Sequence, residues 1–315
     1  MRTVFIINPS AGKGHGIDKL KEKIRKASEE LNQPAGIYMT KNPGDAEAFA
    51  RSFAEDVQEK QEEGRIFICG GDGTLNEVLN GMIGFDQVSI GVIPTGTGND
   101  FVRNFHEAGD FMDFQAQLLG KPFRCDAIKY WGDIDYRRQT RYCANMFNIG
   151  FDCNVVDLAA TLKTYPLIAG SFAYLLAVAI ILIKKKGAKL RVELDGKVVE
   201  EGPVLLTALG NGGYCGGGVN SSPYASLDDG KMDVNVIYNV KRREFIKKFP
   251  YYARGTHMHL PDVDKIIFAS VCRRATVTPL NGVMRLCTDG EIVDAGQVNF
   301  EIVPKAFSFI QPAVL

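Results

Sequence analysis

The spacing of hydrophobic and polar residues changes near residue 125. Before that point, short apolar runs alternate with longer amphipathic stretches. In one such stretch, Leu20, Ile24, Ala27 and Leu31 recur at the three- and four-residue intervals of a helix. Alternation of strand, loop and helix is typical of a parallel sheet covered by helices. The pattern therefore predicts an α/β domain over residues 1–124.

The expected elements of this first domain are four strands and three helices. The strands are predicted at 3–8, 36–40, 65–69 and 89–94, and the helices at 17–31, 43–62 and 75–81.

From residue 125 onward, the apolar runs are short and are separated by turn signals. Asp195-Gly196 and Asp289-Gly290 are dipeptides typical of hairpins. We expect strands at 142–151, 189–194, 204–209, 232–238, 265–271, 275–278, 284–287 and 298–303. The pattern predicts a second, mainly antiparallel β-sandwich domain over residues 125–304.

Two apolar segments of the second domain have several interpretations. Residues Pro166 to Ile183 carry no charge and precede Lys184-Lys185-Lys186. They fit a buried core helix, a helix that contacts the bilayer or covers a lipid channel, or a membrane span. The stretch from Lys241 to Arg254 mixes basic and aromatic residues, which fits an interfacial helix or a surface helix with an aromatic inner face.

Charge is distributed unevenly although the formal net charge is zero. Residues 1–124 contain 14 basic and 18 acidic residues, a net charge of −4, and residues 125–315 contain 23 and 19, a net charge of +4. A basic second half suits an anionic partner such as nucleic acid or a membrane surface, and equally a set of solvated faces.

The cysteines argue against a disulfide framework. There are seven, an odd number, and none forms a CxxC pair, which also disfavours a zinc site. This number and spacing of cysteines fit a protein of the reducing cytoplasm.

Glycine-rich polar loops follow three of the predicted strands, at residues 8–14, 70–74 and 95–100. In an open parallel sheet, ligands bind at the carboxyl ends of the strands. Glycines allow backbone N–H groups to approach phosphate oxygens, and a following helix N-terminus adds a favourable dipole. The shared placement of the loops predicts a phosphate-binding cradle.

Several familiar motifs are absent. Gly12-Lys13-Gly14 is not a Walker A ending, and no GxGxxG, GxSxG or HExxH motif is present. His257-Met258-His259 is a lone pair of histidines that is more typical of structure or surface than of a metal site.

Asp72, between two glycines, could hold Mg²⁺ directly or through water. Thr74 and Asn76 could cap the following helix or bind phosphate oxygens.

These residues resemble a known family. Gly70-Gly71-Asp72-Gly73-Thr74-Leu75-Asn76-Glu77, with Asn8 to Lys13 upstream, looks like the catalytic domain of the diacylglycerol kinase and sphingosine kinase superfamily. Pro94 to Phe101 matches its third loop, and the runs 227–234 and 288–291 match motifs of its second domain. The chain resembles most the soluble bacterial diacylglycerol kinase-like lipid kinases, over nearly its whole length.

The resemblance implies a kinase that uses ATP and Mg²⁺, with a nucleotide site in the first domain. The residues implied to contact the nucleotide are Asn8, Pro9, Ser10, Ala11, Gly12, Thr40, Gly71, Asp72, Gly73, Thr74, Leu75, Asn76, Glu77 and Thr97. Asp72 is also implied to be central to catalysis.

In the second domain, the resemblance implies a structural Mg²⁺ at Ser226, Asp229 and Lys231, with backbone carbonyls sufficient at Ser226 and Lys231. It places the catalytic base on the Asp-Gly-Glu turn. Glu291 is the first candidate for the base and Asp289 the second.

The expected function is transfer of the γ-phosphoryl group of ATP to a lipid hydroxyl, with diacylglycerol converted to phosphatidic acid. Other acceptors stay open: a sphingoid base, undecaprenol, phosphatidylglycerol, or a soluble substrate of an NAD kinase or sugar kinase. A catalytically silent nucleotide-binding regulator is a further alternative. The resemblance also implies peripheral contact with the inner face of the membrane, no nucleic acid partner, a homodimer in some members, and a return of residues 305–315 to the first domain.

Overall fold

The structure is a computed structural model that describes residues 1–14, 16–134, 140–150, 187–289 and 291–315. The segment from Pro166 to Ile183 and the lysines at 184–186 lie outside the described residues. The chain forms two compact units, Met1–Ala127 with Pro304–Leu315, and Ile128–Val303. Two long strands, at residues 121–134 and 291–311, contribute residues to both.

The first unit follows the alternation of strand and helix expected from the sequence. Its elements are β1 (Arg2–Ile7), α1 (Ile17–Glu30), β2 (Ala35–Met39), α2 (Asp45–Glu59), β3 (Gly64–Gly70), α3 (Asp72–Met82), β4 (Val88–Pro94), α4 (Phe114–Leu118) and the start of β5 (Lys121–Ile134).

Strands β1 to β4 pair in parallel, in the order β2-β1-β3-β4. The last strand, β16 (Glu291–Gln311), adds to this sheet because Ser308 and Phe309 pair in parallel with Ser89 and Ile90 of β4. The C-terminal segment is therefore part of the first unit.

Helices cover both faces of this sheet because its strands are apolar on both sides. Ile24 and Ala27 of α1 join a buried cluster with Phe5 and Phe67, and Phe114 of α4 belongs to the same cluster. Helices α2 and α3 pack closely against each other. A Cβ added at Gly81 of α3 would lie 2.9 Å from the Cβ of Ala50 of α2, so a glycine is needed at this crossing.

The second unit consists mainly of antiparallel strands. Its elements are the end of β5, β6 (Arg141–Cys143), β7 (Met146–Gly150), β8 (Ala188–Leu194), β9 (Lys197–Gly210), β10 (Tyr214–Cys215), β11 (Val219–Asn220), β12 (Met232–Tyr238), α5 (Arg242–Ala253), β13 (Ile267–Cys272), β14 (Arg274–Pro279), β15 (Met284–Thr288) and most of β16.

Two long strands connect the layers of this unit. Residues 197–204 of β9 pair with β8, whereas residues 206–210 pair with β7. Residues 291–295 of β16 pair with β15, and residues 298–301 pair with β14. Because β14 also pairs with β8 and β15 with β7, six strands form a closed hydrogen-bonded circuit. Its interior is filled by a core that includes Phe147, Val192, Leu286 and Phe300.

A smaller apolar cluster lies under α5. Leu206, Ile237 and Ile267 from three neighbouring strands pack with Tyr252 of the helix, and Phe245 and Phe249 lie against them. The inner face of α5 is thus aromatic.

Six cysteines lie in the described part of the chain and all are buried free thiols, so no disulfide forms among them. Across the described ranges, no helix has both the length and the apolar character required to cross a bilayer.

Candidate active site

The three glycine-rich loops lie at one edge of the first unit's sheet. The first follows β1, the second leads from β3 into α3, and the third follows β4. Strands β1, β3 and β4 are parallel neighbours, so their carboxyl ends meet at the same edge. The convergence expected from the sequence is present.

Asn8 connects the first loop to the second. Its Nδ2 donates a hydrogen bond to Oγ1 of Thr74, at 2.9 Å, and its Oδ1 accepts the backbone N–H of Ser10. The carbonyl of Asn8 also accepts the N–H of Ala11, where a short 3-10 helix begins. Pro9 lies inside this tight turn. One side chain therefore fixes the shape of the first loop and holds it against α3.

Glycines allow the loops to approach each other closely. A Cβ at Gly71 would lie 3.1 Å from the Cα of Gly96, and a Cβ at Gly96 would collide with the Cα of Gly71. Gly12 has a φ of 61°, and a Cβ there would lie 2.7 Å from the carbonyl oxygen of Thr95. Side chains at these positions would push the three loops apart.

Helix α3 begins at the centre of this arrangement without a side-chain cap. Gly71 at the N-cap is extended and makes no side-chain cap hydrogen bond. The first N–H groups of a helix lack partners inside the helix, and the helix dipole favours an anion there. The turn at Gly71 to Thr74 therefore fits a phosphate group.

The Asp72 carboxylate connects the second loop to the third. Its Oδ1 accepts the backbone N–H groups of Asp100, at 2.9 Å, and Phe101, at 3.2 Å. The third loop thus supplies backbone donors to this carboxylate. The Phe101 ring holds that loop in place by packing edge-on against Phe309, with ring centroids 4.9 Å apart.

A second carboxylate, that of Asp100, lies beside Asp72. A Cβ added at Gly98 would lie 2.8 Å from Oδ2 of Asp72 and 3.4 Å from Oδ2 of Asp100. Both carboxylate oxygens therefore lie close to one point, the position that a Cβ of Gly98 would occupy. Asp100 is only 8% exposed, and Nε of Arg103 lies 3.6 Å from its Oδ1. Sequence reasoning missed Asp100, although its place at the end of the third glycine loop was the available signal.

These two carboxylates fit Mg²⁺ together with substrate phosphates. Mg²⁺ is commonly held by one or two carboxylates while phosphate oxygens and water complete its shell. The described residues contain no group of three or more His, Cys, Asp or Glu side chains that could hold a metal ion by themselves. A site of this type requires the nucleotide to supply the remaining ligands.

The other residues implied to contact the nucleotide have mixed roles. Thr40 lies at the same sheet edge, with its N–H donated to the carbonyl of Ile7. Thr97 is exposed at the tip of the third loop. Leu75 is a core residue whose N–H already bonds to the carbonyl of Gly71, so it offers no donor to a ligand.

Two further side chains of α3 make hydrogen bonds within and between helices. The Asn76 side chain is buried, and its Oδ1 lies 3.3 Å from Nδ2 of Asn80. Oε2 of Glu77 accepts the N–H of Ala46 in the first turn of α2. Asn76 therefore bonds within α3 and Glu77 joins α3 to α2, an arrangement that sequence spacing alone did not reveal.

In the second unit, local hydrogen bonds shape the acidic turn that contains Ser226, Asp229 and Lys231. Oδ1 of Asp229 accepts the N–H of Lys231, at 2.9 Å, and Oγ of Ser226 donates to Asp228. Burial and the charge of Asp229 raise the pKa of Asp233 to about 6. Concentrated negative charge fits a cation at this turn, with backbone carbonyls as additional ligands.

Asp289 has a structural environment in the turn between β15 and β16. Its Oδ1 accepts the N–H of Met146, at 3.2 Å, and its Oδ2 lies 3.3 Å from Sγ of Cys143. The pKa of the Cys143 thiol is raised well above its usual range, mainly by burial and secondly by the charge of Asp289. Because Cys143 stays protonated, it donates to this carboxylate.

Glu291 differs from Asp289 in exposure. It is the first residue of β16, paired with Thr288, and it is exposed. An exposed carboxylate can take a proton from a bound hydroxyl group. Of the two candidates for the base, Glu291 is therefore the exposed one.

An apolar cleft lies between α5 and the sheet of the second unit. Its cavity volume is about 40 Å³, and it is partly open to solvent. Apolar and aromatic side chains form most of its wall, with Lys248 and Glu244 also on the lining. His257 is the buried polar exception, 1% exposed, and burial lowers its pKa to about 4. The cleft fits an aliphatic chain.

Comparisons with known proteins agree with this geometry. Residues 2–129 match the family described as "Diacylglycerol kinase catalytic domain", and residues 145–311 match "YegS C-terminal NAD kinase beta sandwich-like domain". A diacylglycerol kinase of Staphylococcus aureus is 30% identical over 304 residues, which cover 95% of this chain and 89% of the relative. A diacylglycerol kinase of Staphylococcus carnosus is 30% identical over 266 residues, 83% of this chain and 81% of that protein.

A solved structure has the same fold. The crystal structure of a diacylglycerol kinase from Bacillus anthracis matches with a TM-score of 0.71 at 21% identity, covering 98% of this chain and 96% of the other. The two family matches occupy consecutive parts of the chain, and the curated relatives align over most of their own lengths. The chain therefore belongs to the family of bacterial diacylglycerol kinase-like lipid kinases.

Proposed function

We propose that this lipid kinase transfers the γ-phosphoryl group of ATP to the hydroxyl group of diacylglycerol and forms phosphatidic acid. The observation that carries the proposal is the convergence of three loops on Gly71 and Gly96, with Asp72 and Asp100 aimed at the same point. The names of the curated relatives support diacylglycerol as the acceptor.

The first unit would bind the nucleotide phosphates. Backbone N–H groups at the start of α3 would donate to phosphate oxygens, and Asn8 keeps the neighbouring loop in position through Thr74. Asp72 and Asp100 would hold Mg²⁺. When bound, Mg²⁺ neutralises charge on the phosphates during transfer.

The second unit would bind the lipid and take the proton. Glu291 would accept the proton of the lipid hydroxyl as the oxygen attacks the γ-phosphorus. Asp289 would hold the turn in shape through Met146 and Cys143. A cation at Ser226, Asp229 and Lys231 would have a structural role.

The apolar cleft under α5 would hold an acyl chain. Its wall of Phe245, Phe249, Leu260 and Ile267 is apolar, so a chain buried there gains about 0.8 kcal/mol for each CH₂ group. Such a wall makes no directional contacts with a chain. Selection of the acceptor would therefore depend on the position of its hydroxyl group.

A panel of acceptors tests the proposal. The purified protein is incubated with γ-labelled ATP and Mg²⁺ and with vesicles that contain diacylglycerol, a sphingoid base, undecaprenol or phosphatidylglycerol, and with NAD and hexoses in solution. We expect label mainly in phosphatidic acid. Preferred labelling of another lipid would replace the acceptor, and preferred labelling of NAD or a sugar would overturn the lipid assignment.

A further inference from the structure

We propose that the outward face of α5 is a docking surface for an anionic bilayer. This inference rests on the proposed function, because an enzyme whose acceptor lies in a membrane must meet the membrane surface. The docking surface is defined by Arg243, Ile246, Lys247, Tyr251 and Arg254, and it differs from the aromatic inner face already described.

Helical spacing separates the two faces. Arg243, Lys247 and Arg254 are four and seven residues apart, so they lie along one side of the helix axis. Phe245, Phe249 and Tyr252 occupy the opposite side and pack against the sheet. The basic side chains therefore point away from the core.

The outward face is unusual because it is basic and apolar together. Ile246 is 59% exposed and Tyr251 is 46% exposed, although large apolar side chains on a helix normally face the core. Exposed apolar residues among cations are characteristic of helices that lie in a membrane interface. The aromatic ring of Tyr251 suits the headgroup level, where tyrosine is enriched.

The basic side chains of the docking surface favour an anionic membrane as its binding partner. Within the described ranges, no ion pair involves Arg243, Lys247 or Arg254. The single acidic residue of the helix, Glu244, is on the flank that borders the cleft. Negative headgroups would supply the missing counter-charges.

The docking surface and the apolar cleft lie on the same helix, which would place the membrane near the proposed lipid site. The same helix provides Glu244, Phe245, Lys248 and Phe249 to the cleft lining, so its two faces are only one helix diameter apart, about 10 Å. A bilayer in contact with the outward face would lie beside the space proposed for the acyl chain. Docking would thereby bring lipid substrate to the site.

Vesicle flotation with the full chain tests the docking surface. The probes are phosphatidylcholine vesicles with and without about one-third phosphatidylglycerol, both free of diacylglycerol and ATP. We expect the wild-type protein to float with the anionic vesicles and to be released by salt, because screening weakens surface charges. Arg243→Glu with Lys247→Glu should weaken this binding at least ~30-fold, because each basic residue near such a surface contributes about fivefold.

A matched control has the same change in charge elsewhere in the unit. Lys189→Glu with Lys197→Glu alters two exposed lysines of β8 and β9, and it should leave binding close to wild type. Ile246→Ser with Tyr251→Ser should weaken binding without changing charge.

Four results would overturn the proposal. The first is an equal loss of binding in the two charge-reversal variants, and the second is wild-type binding by Arg243→Glu with Lys247→Glu. The third is binding that salt does not weaken, and the fourth is loss of a dimer in sedimentation when α5 is altered.

A further measurement separates this inference from the proposed function. Phosphorylation of a short-chain, dispersed diacylglycerol needs no bilayer. The variant Arg243→Glu with Lys247→Glu should therefore phosphorylate it at the wild-type rate. No phosphorylation by the wild-type protein would contradict the proposed function and leave the flotation result valid. Wild-type rates on vesicles for the α5 variant would contradict only the docking surface.

Discussion

Oδ1 of Asp72 accepts the backbone N–H of Asp100 at a distance of 2.9 Å. This bond joins the first turn of α3 to the end of the third glycine loop, 28 residues further along the chain. The carboxylate that is proposed to hold the metal ion thus also holds the two loops together. Structural and chemical roles of Asp72 can be separated by choosing the substitution.

Asp72→Asn should preserve the fold, whereas Asp72→Ala should weaken it. An asparagine amide oxygen can accept both N–H groups that Oδ1 accepts now, whereas alanine leaves them unpaired. We expect Asp72→Ala to lower the free energy of unfolding by about 1–3 kcal/mol and Asp72→Asn by less than about 1 kcal/mol. Urea denaturation of both variants checks this, and equal destabilisation would show that the bonds to Asp100 and Phe101 do not hold the loops.

Gly96→Ala should impair nucleotide binding. Its methyl group would collide with the Cα of Gly71 and separate the second and third loops. We expect ATP affinity to fall about tenfold or more, a loss of at least ~1.4 kcal/mol. Gly36→Ala in β2 is a suitable control because its Cβ would have only an ordinary contact of 3.7 Å. Calorimetric titration with MgATP distinguishes the two, and unchanged affinity in Gly96→Ala would contradict the cradle.

Glu291→Gln and Asp289→Asn should have different effects on turnover. Loss of a general base costs about 10²- to 10⁴-fold in rate, so we expect a fall of that size in kcat for Glu291→Gln, with ATP affinity retained. Asparagine tolerates the positive φ of 46° at position 289 and can still accept the Met146 N–H. Asp289→Asn should therefore lose less than about tenfold. The opposite order in steady-state rates would assign the base to Asp289.

Stability should fall as the solution becomes more acidic, partly because of His257. Burial lowers the pKa of this histidine to about 4 from an ordinary value of 6.5. Between these values the unfolded chain binds the extra proton, so stability is fully present above pH 6.5 and is lost as pH falls towards 4. The loss is on the order of 3 kcal/mol.

His257→Phe provides the comparison for this pH effect. The substitution should flatten the curve of melting temperature against pH in this range, because phenylalanine does not titrate. Parallel curves for the wild-type and variant proteins would show that His257 is not the titrating group.

The strands and the glycine-rich loops could be predicted because their signals are local. Strand β12, for example, occupies residues 232–238, as its apolar run predicts. The three loops end parallel strands, and parallel order forces their carboxyl ends to one edge. Longer strands were underestimated: β16 extends from 291 to 311, whereas its sequence predicts 298–303. Its polar positions are accommodated because it pairs with different strands along its length.

The remaining features of the site depend on contacts between distant residues. Cys143 and Asp289 are separated by 146 positions, and Glu77 reaches Ala46 across 31. No local pattern predicts which carboxylate will find a backbone donor. Strand β5 and helix α4 were missed for a related reason, since their signals are weak without the packing of Phe114 and Ile128 against their clusters.

Label transfer by Asp72→Asn is the most direct test of the central claim, that the converged loops and their carboxylates carry out phosphoryl transfer to diacylglycerol. γ-Labelled ATP is incubated with diacylglycerol vesicles over a range of Mg²⁺ concentrations. We expect Mg²⁺-dependent phosphatidic acid from the wild-type protein and at least a ~100-fold lower kcat from the folded variant. Wild-type rates in Asp72→Asn, or labelling independent of Mg²⁺, would contradict it.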